Sequence, residues 1–132
     1  MSLQRQVMAS PLPGLDARRS FGGQMSMVVR GGEFLFVGGL TAVDPDSGER
    51  IRGTTMSETR RILANIKLLL EAAGSSLNRV VKVNVLLQNM LEAPDMNEAF
   101  AGFFPEPPPA RTVCGACLPH GARVIIECTA LA

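Results

Sequence analysis

Arg111 carries the charge with the clearest chemical promise. It follows Pro105-Glu106-Pro107-Pro108-Pro109 and opens an apolar stretch. A run with so many prolines cannot be helix or central strand and reads as a stiff extended connector. A guanidinium held at the start of a strand presents a planar donor fork that suits a carboxylate. The competing reading is a surface or intersubunit salt bridge, and position alone leaves the two open. Glu127 lies inside Val124-Ile125-Ile126-Glu127-Cys128. Strand parity places it with Arg123, Ile125 and Thr129, opposite Val124, Ile126 and Cys128. It then faces solvent or pairs with a Lys or Arg on a neighbouring strand. Cys114 and Cys117 form a C-x-x-C, and with His120 and Cys128 a Cys₃His zinc set can be written. Positions 114 and 117 have opposite parity on a strand, so a knuckle would be needed to converge them. Zinc and a redox dithiol therefore stand as alternatives to ordinary buried cysteines, and the expectation is no metal. His120, the one histidine, sits in a Pro-His-Gly turn without a placed partner for base chemistry. No serine has nucleophile-elbow spacing, and neither phosphate-cradling glycine motif is present.

Composition narrows the classes further. A chain of 132 residues suits one domain, and 46% hydrophobic content supplies a core. The net charge is +1, with no Trp, no Tyr and six Phe. A phosphate-tracking or base-stacking surface would need more of both, which argues against nucleic acid as a partner. Three cysteines do not make a secreted disulfide framework. No apolar run approaches the roughly 20 residues of a membrane span, and the N-terminus lacks a signal-peptide core. The expectation is a cytoplasmic protein without a membrane partner.

The elements that must position these residues follow from periodicity. Residues 1–22 read as an irregular N-terminal segment punctuated by Pro and Gly and wetted by Arg18 and Arg19, with a single domain over 23–132. Strand-like runs at 25–30 and 34–37 flank Gly31-Gly32-Glu33, a connection of hairpin length. Gly38-Gly39 marks a bend or a close backbone approach, and Asp44-Pro45-Asp46-Ser47-Gly48 a turn. Residues 55–73 form a helix: Thr55 with Glu58 fits a capping box, Ile62, Ile66, Leu69 and Ala73 make the stripe, and Gly74 ends it. Arg60, Arg61 and Lys67 form its solvent face. Val81, Val83, Val85 and Leu87 alternate as a half-buried strand. Pro94 opens a second helix that buries Met96, Ala99, Phe100 and Phe103. Strands at 111–117 and 122–130 follow, joined as a hairpin through 118–121. Interleaved helices between terminal hairpins give an α+β fold, with a mixed sheet and two helices on one face. Its Val/Ile-rich strands exceed what one helical layer covers, and such exposed apolar sheet becomes interface.

Several segments together resemble a known family. Phe34-Leu35-Phe36-Val37-Gly38-Gly39, with Asp44-Pro45 and Gly48-Glu49 after it, resembles "LFVSGQ…DPxTGE" of the Rid proteins (reactive intermediate deaminases, also called YjgF or L-PSP proteins). Asn65-Ile66-Lys67, then Glu71-Ala72-Ala73-Gly74-Ser75-Ser76-Leu77 and Val80-Val81-Lys82-Val83, is similar to "NLKAxLEAAGSSLDDVVKVTV". Met96-Asn97-Glu98, with Phe100, Phe103 and Phe104, resembles "xVNEVYAEFF"; Pro108-Pro109-Ala110-Arg111-Thr112 resembles "PPARS/T"; Leu118-Pro119 with Glu127 resembles "LP…EIEAIA". The similarity spans about residues 23–131 in the family's order.

The resemblance implies a chorismate-mutase-like α+β homotrimer with a small-molecule site in the cleft between subunits. It implies hydrolysis of 2-imino acids, or their enamine tautomers, to 2-keto acids and ammonia, without a cofactor. Arg111 matches the arginine that holds the substrate carboxylate, and Asn97 the asparagine lining the pocket. Ribonuclease action, attributed to some members, fits this composition poorly. The departures fall on the other half of the site. The family tyrosine aligns with Met25, the serine of "VSGQ" with Gly38 and its glutamine with Leu40. The glutamate that positions water aligns with Ile125. Glu127 matches the second glutamate, on the same strand face but roughly 6.5–7 Å along, and is kept with Cys114 as a possible supporting residue. The 111–119 segment is one residue shorter than in typical members. Such a chain keeps the carboxylate-binding half, with apolar residues in the acid/base half; a non-catalytic carboxylate-binding or protein-interaction trimer is the alternative.

Overall fold

In the computed structural model, which describes residues 4–16 and 23–132, six strands form one mixed sheet in the order β1-β2-β3-β6-β4-β5. The strands are β1 (Arg5–Val7), β2 (Val28–Gly31), β3 (Phe34–Leu40), β4 (Val80–Leu87), β5 (Ala110–Gly115) and β6 (Val124–Leu131). The helices are α1 (Thr55–Ala72) and α2 (Ala93–Phe100); they pack on each other, and α1 packs on β6. All strand pairings are antiparallel except β4 with β5.

Alternation sets the layers. Leu35 and Val37 of β3, Val83, Val85 and Leu87 of β4, and Val124, Ile126, Cys128 and Ala130 of β6 are buried. Ile62, Leu63, Ile66, Leu69 and Leu70 of α1 close over them. Truncating a fully buried leucine such as Leu63 to alanine costs about 2–5 kcal/mol. Phe34, Phe36 and Leu131 alternate outward onto the opposite face and stay exposed. Helix α1 ends as its sequence demands: Gly74 takes φ +84°, and Ser75 N–H donates back to Leu70 C=O at 2.8 Å. An L side chain at Gly74 would be strained there. In the 44–48 turn, Asp44 Oδ1 accepts from the N–H groups of Asp46 and Ser47, both at 2.9 Å. The Ser47 and Asp46 bonds hold its carboxyl below the ordinary aspartate value.

Five expectations change. The segment expected to be irregular holds β1, paired with β2, and a 3₁₀ turn (Pro13–Leu15) that buries Leu15. Arg18 and Arg19, placed in solvent from sequence, lie outside the described residues. The last two strands are not a hairpin: β5 runs parallel to β4 at the sheet edge, and β6 inserts between β3 and β4. The stretch between β4 and β5 contains α2, the length a parallel crossover requires. The capping box lies one residue earlier, with Thr54 Oγ1 accepting from Ser57 N–H and Ser57 Oγ from Thr54 N–H. A register shift after Val80 turns Val80 inward and leaves Val81 40% exposed. Helix α2 ends at Phe100, and Phe103 packs from the turn beyond it. No helix among the described residues is long and apolar enough to cross a membrane.

Candidate active site

Arg111 is held from three sides. Its Cα pairs with Val83 across the parallel ladder, so its side chain leaves the sheet on the helix-covered face. Residues 96, 97 and 100 of α2 meet it there, because positions three and four apart share one helix face. Nη2 donates to Asn97 Oδ1 at 2.6 Å, and Nη1 lies 3.7 Å from Met96 Sδ. Cζ stands 5.0 Å from the centroid of the Phe100 ring, within cation–π range. Phe100 stacks in turn on Phe104, centroids 5.8 Å apart. No carboxylate among the described residues forms an ion pair with Arg111, so the salt-bridge alternative has no partner among them. Arg111 lines a cavity of about 580 Å³ whose walls include Val83, Phe104, Glu106, Pro108 and Pro109. An anchored guanidinium in a largely apolar cavity offers a planar donor fork of the kind that matches a carboxylate.

Among the other sequence candidates, Glu127 and Ile125 lie on the opposite, open face of the sheet. Asn84, next to Val83, points the other way and donates from Nδ2 to Glu127 Oε1 at 2.9 Å. Glu127 thus pairs with an amide rather than the Lys or Arg expected. Both line a separate cavity of about 280 Å³ with Ser26, Phe36, Gly38 and Thr129. The two β3 glycines allow close approach where the β3–β6 register shifts. A Cβ on Gly38 would come within 3.0 Å of Met25 Cε, and one on Gly39 within 3.0 Å of Ile125 Cγ2. Met25 and Ile125 are thereby seated against the backbone, while Leu40 is buried in the core. One chain therefore does not bring Arg111 and Asn97 together with Met25, Gly38, Ile125 and Glu127. The parity that puts Val83 and Asn84 on opposite faces separates the two groups.

The cysteines differ from expectation. Cys114, on the open face of an edge strand, and Cys117 are exposed, and only Cys128 is buried. Burial, with Glu127 adjacent, pushes the Cys128 thiol up to about 12, so it is no thiolate nucleophile at neutral pH. No group of three or more metal-binding side chains converges among the described residues. His120 is exposed in a 3₁₀ turn at φ 60°.

Two features went unread in the sequence. Phe100 packs partly buried against the core, as expected, but its ring also lies under Arg111. Glu58, assigned to a cap, is 2% exposed. Its carboxylate accepts from Gly53 N–H at 3.1 Å and Arg123 N–H at 3.0 Å. Arg123 Nη1 lies 3.6 Å from Glu92 Oε1, which also accepts from Thr55 Oγ1 at 2.6 Å. This network ties the start of α1 to the loops on either side of it. Its signal was the spacing: Glu58 stands four residues before Ile62, on the buried stripe.

Fold and site together define a small α+β protein with a guanidinium-lined cavity at a sheet edge. Residues 18–132 match the family model described as endoribonuclease L-PSP. A RutC family protein of Pyrococcus horikoshii is 43% identical over 109 residues, 82% of this chain and 86% of the relative. The mouse 2-iminobutanoate/2-iminopropanoate deaminase is 36% identical over 110 residues, 83% of this chain and 82% of the relative. A crystal structure of an L-PSP protein from Entamoeba histolytica superposes with TM-score 0.86 at 30% identity, covering 98% of this chain and 100% of that one. The chain belongs to the L-PSP family, the Rid family of the sequence resemblance.

Proposed function

We propose that the protein is an imine/enamine deaminase that hydrolyses 2-imino or 2-enamino acids to 2-keto acids and ammonia. The observation that carries this is the preset Arg111: bonded to Asn97, laid on Phe100 and open to an apolar cavity. An imine carbon is already electrophilic, so a site need only orient the substrate, exclude bulk water and place one water molecule. Arg111 takes the carboxylate, and Phe104, Pro108 and Pro109 shed solvent around the reacting carbon. The names carried by relatives such as the mouse deaminase support the same chemistry. No cofactor enters the scheme.

We place the complete site between copies in a homotrimer of the chorismate-mutase-like kind, with the Arg111 half of one copy facing the Met25–Gly38–Ile125–Glu127 half of the next. The open sheet face supports this, since Phe34, Phe36, Val7 and Leu131 are 41%, 50%, 46% and 37% exposed and uncovered apolar sheet seeks a partner. Glu127, tethered by Asn84, is then the carboxylate that holds water or supports the site, with Cys114 further along the same face. The cytoplasm is the compartment we assign, on the strength of the free cysteines.

A second reading is favoured by one observation: the groups seated around the β3 glycines, Met25 and Ile125, are apolar. A trimer of this kind would bind small carboxylates or a protein partner without turnover. The test is 2-keto acid release from imines generated in place, by wild type and Arg111→Ala. Turnover that vanishes with Arg111→Ala supports the deaminase; a folded oligomer without turnover supports the binding protein.

A further inference from the structure

The Arg111 cavity contains one more charge. Glu106 lines it together with Arg111 and Asn97, yet no ion pair joins Glu106 to Arg111 or to any other described cation. Pro105 precedes it and Pro107 follows it, so its backbone has little freedom left to lose when a ligand binds. The other walls of the cavity include Phe100, Phe104, Pro108 and Pro109. A guanidinium and a carboxylate that line one cavity without pairing match a ligand with the opposite arrangement: a carboxylate and a cationic nitrogen on one small, otherwise apolar molecule.

We propose that Glu106 is the second recognition group of this cavity, a positioning residue that holds the protonated nitrogen of a dipolar 2-imino acid while Arg111 holds its carboxylate. The inference rests on reading the Arg111 cavity as the carboxylate site. Its chemistry distinguishes substrate from product. The reaction R–C(=NH₂⁺)–COO⁻ + H₂O → R–C(=O)–COO⁻ + NH₄⁺ turns a dipolar ion into a plain anion. Water adds to the iminium carbon, the C–N bond breaks, and the nitrogen leaves with its positive charge as ammonium. Glu106 attracts the first species and repels the second, favouring substrate capture and keto-acid release from one site. Protonation of the imine also raises its electrophilicity, so a carboxylate that prefers the protonated form favours the reactive one.

Binding of unreactive analogues tests this without requiring turnover. Affinities of 2-aminobutyrate and 2-oxobutyrate for the assembled protein are measured by calorimetry. Wild type is expected to prefer the amino acid by about fivefold, the size a solvent-exposed charge pair gives. Glu106→Gln should abolish the preference, weakening the amino acid and relieving the repulsion of the keto acid. Glu106→Lys should invert it, and Arg111→Ala should weaken both ligands. An unchanged ratio in Glu106→Gln, or no binding of either ligand to wild type, overturns the assignment. The outcome is separable from the deaminase reading. A Glu106-dependent ratio without imine turnover leaves an amino-acid-binding protein; turnover with an unchanged ratio leaves a deaminase that does not use Glu106.

Discussion

Asn97 fixes the Arg111 guanidinium at the cavity wall, which makes its removal a quantitative test of the site. Asn97 Oδ1 accepts from Nη2 at 2.6 Å, a short bond to a charged donor and so among the stronger kinds. Both residues are solvent-exposed, which brings the expected value down to about 1 kcal/mol. In Asn97→Ala the guanidinium keeps the Phe100 ring 5.0 Å away but loses its in-plane stop. About 1 kcal/mol is about a fivefold loss of carboxylate affinity. Steady-state kinetics of 2-keto acid release should show KM raised about fivefold, with kcat within about twofold, because the lost contact serves bound substrate and transition state equally. Asn97→Asp sharpens the test. It keeps the acceptor but adds a negative charge that competes for Arg111, so KM should rise more than in Asn97→Ala. An Asn97→Asp enzyme that binds substrate as well as wild type, or an Asn97→Ala enzyme that loses kcat at unchanged KM, would refute the positioning argument.

Three further outcomes follow from other parts of the molecule. Cys128 should resist iodoacetamide at pH 8 in the native protein while Cys114 and Cys117 react, read by mass spectrometry; its raised pKa also means its contribution to stability is lost as pH rises from the ordinary thiol value of 9.0 toward about 12. Phe36→Asp puts a charge at the centre of the open sheet face and should give a monomer by light scattering, whereas a wild type that is already monomeric would dismiss the intersubunit cleft. Glu58→Gln places an amide donor against the N–H groups of Gly53 or Arg123, costing about 2 kcal/mol and lowering Tm by about 8 °C in calorimetry; a shift below about 2 °C would show that the network adds little stability.

What the sequence makes legible is local. The α1 stripe, its glycine stop, the 44–48 turn and the alternation of β6 all follow from neighbouring residues, and the structure retains each. The capping box was displaced because Thr54 and Thr55 both suit the cap, as Ser57 and Glu58 both suit the reciprocal position. Strand order was illegible for a different reason. The insertion of β6 between β3 and β4 is a non-local choice that no turn or periodicity encodes, and proximity in sequence made β5 and β6 look like a hairpin. The site divides the same way. Arg111 stood out because prolines fix the chain before it. Parity told which residues share a face, but not which face the helices cover, and that second fact separates Arg111 from Glu127.

The central claim is that Arg111 makes this a deaminase, and one competition experiment addresses it most directly. 2-Aminoacrylate and 2-iminobutyrate are generated in place with semicarbazide present as a trap, and the share of each intermediate diverted to keto acid is measured. Wild type should outcompete the trap, and Arg111→Ala, folded and assembled to the same mass, should not. Equal diversion by wild type and Arg111→Ala, or none by a folded wild type, would contradict it.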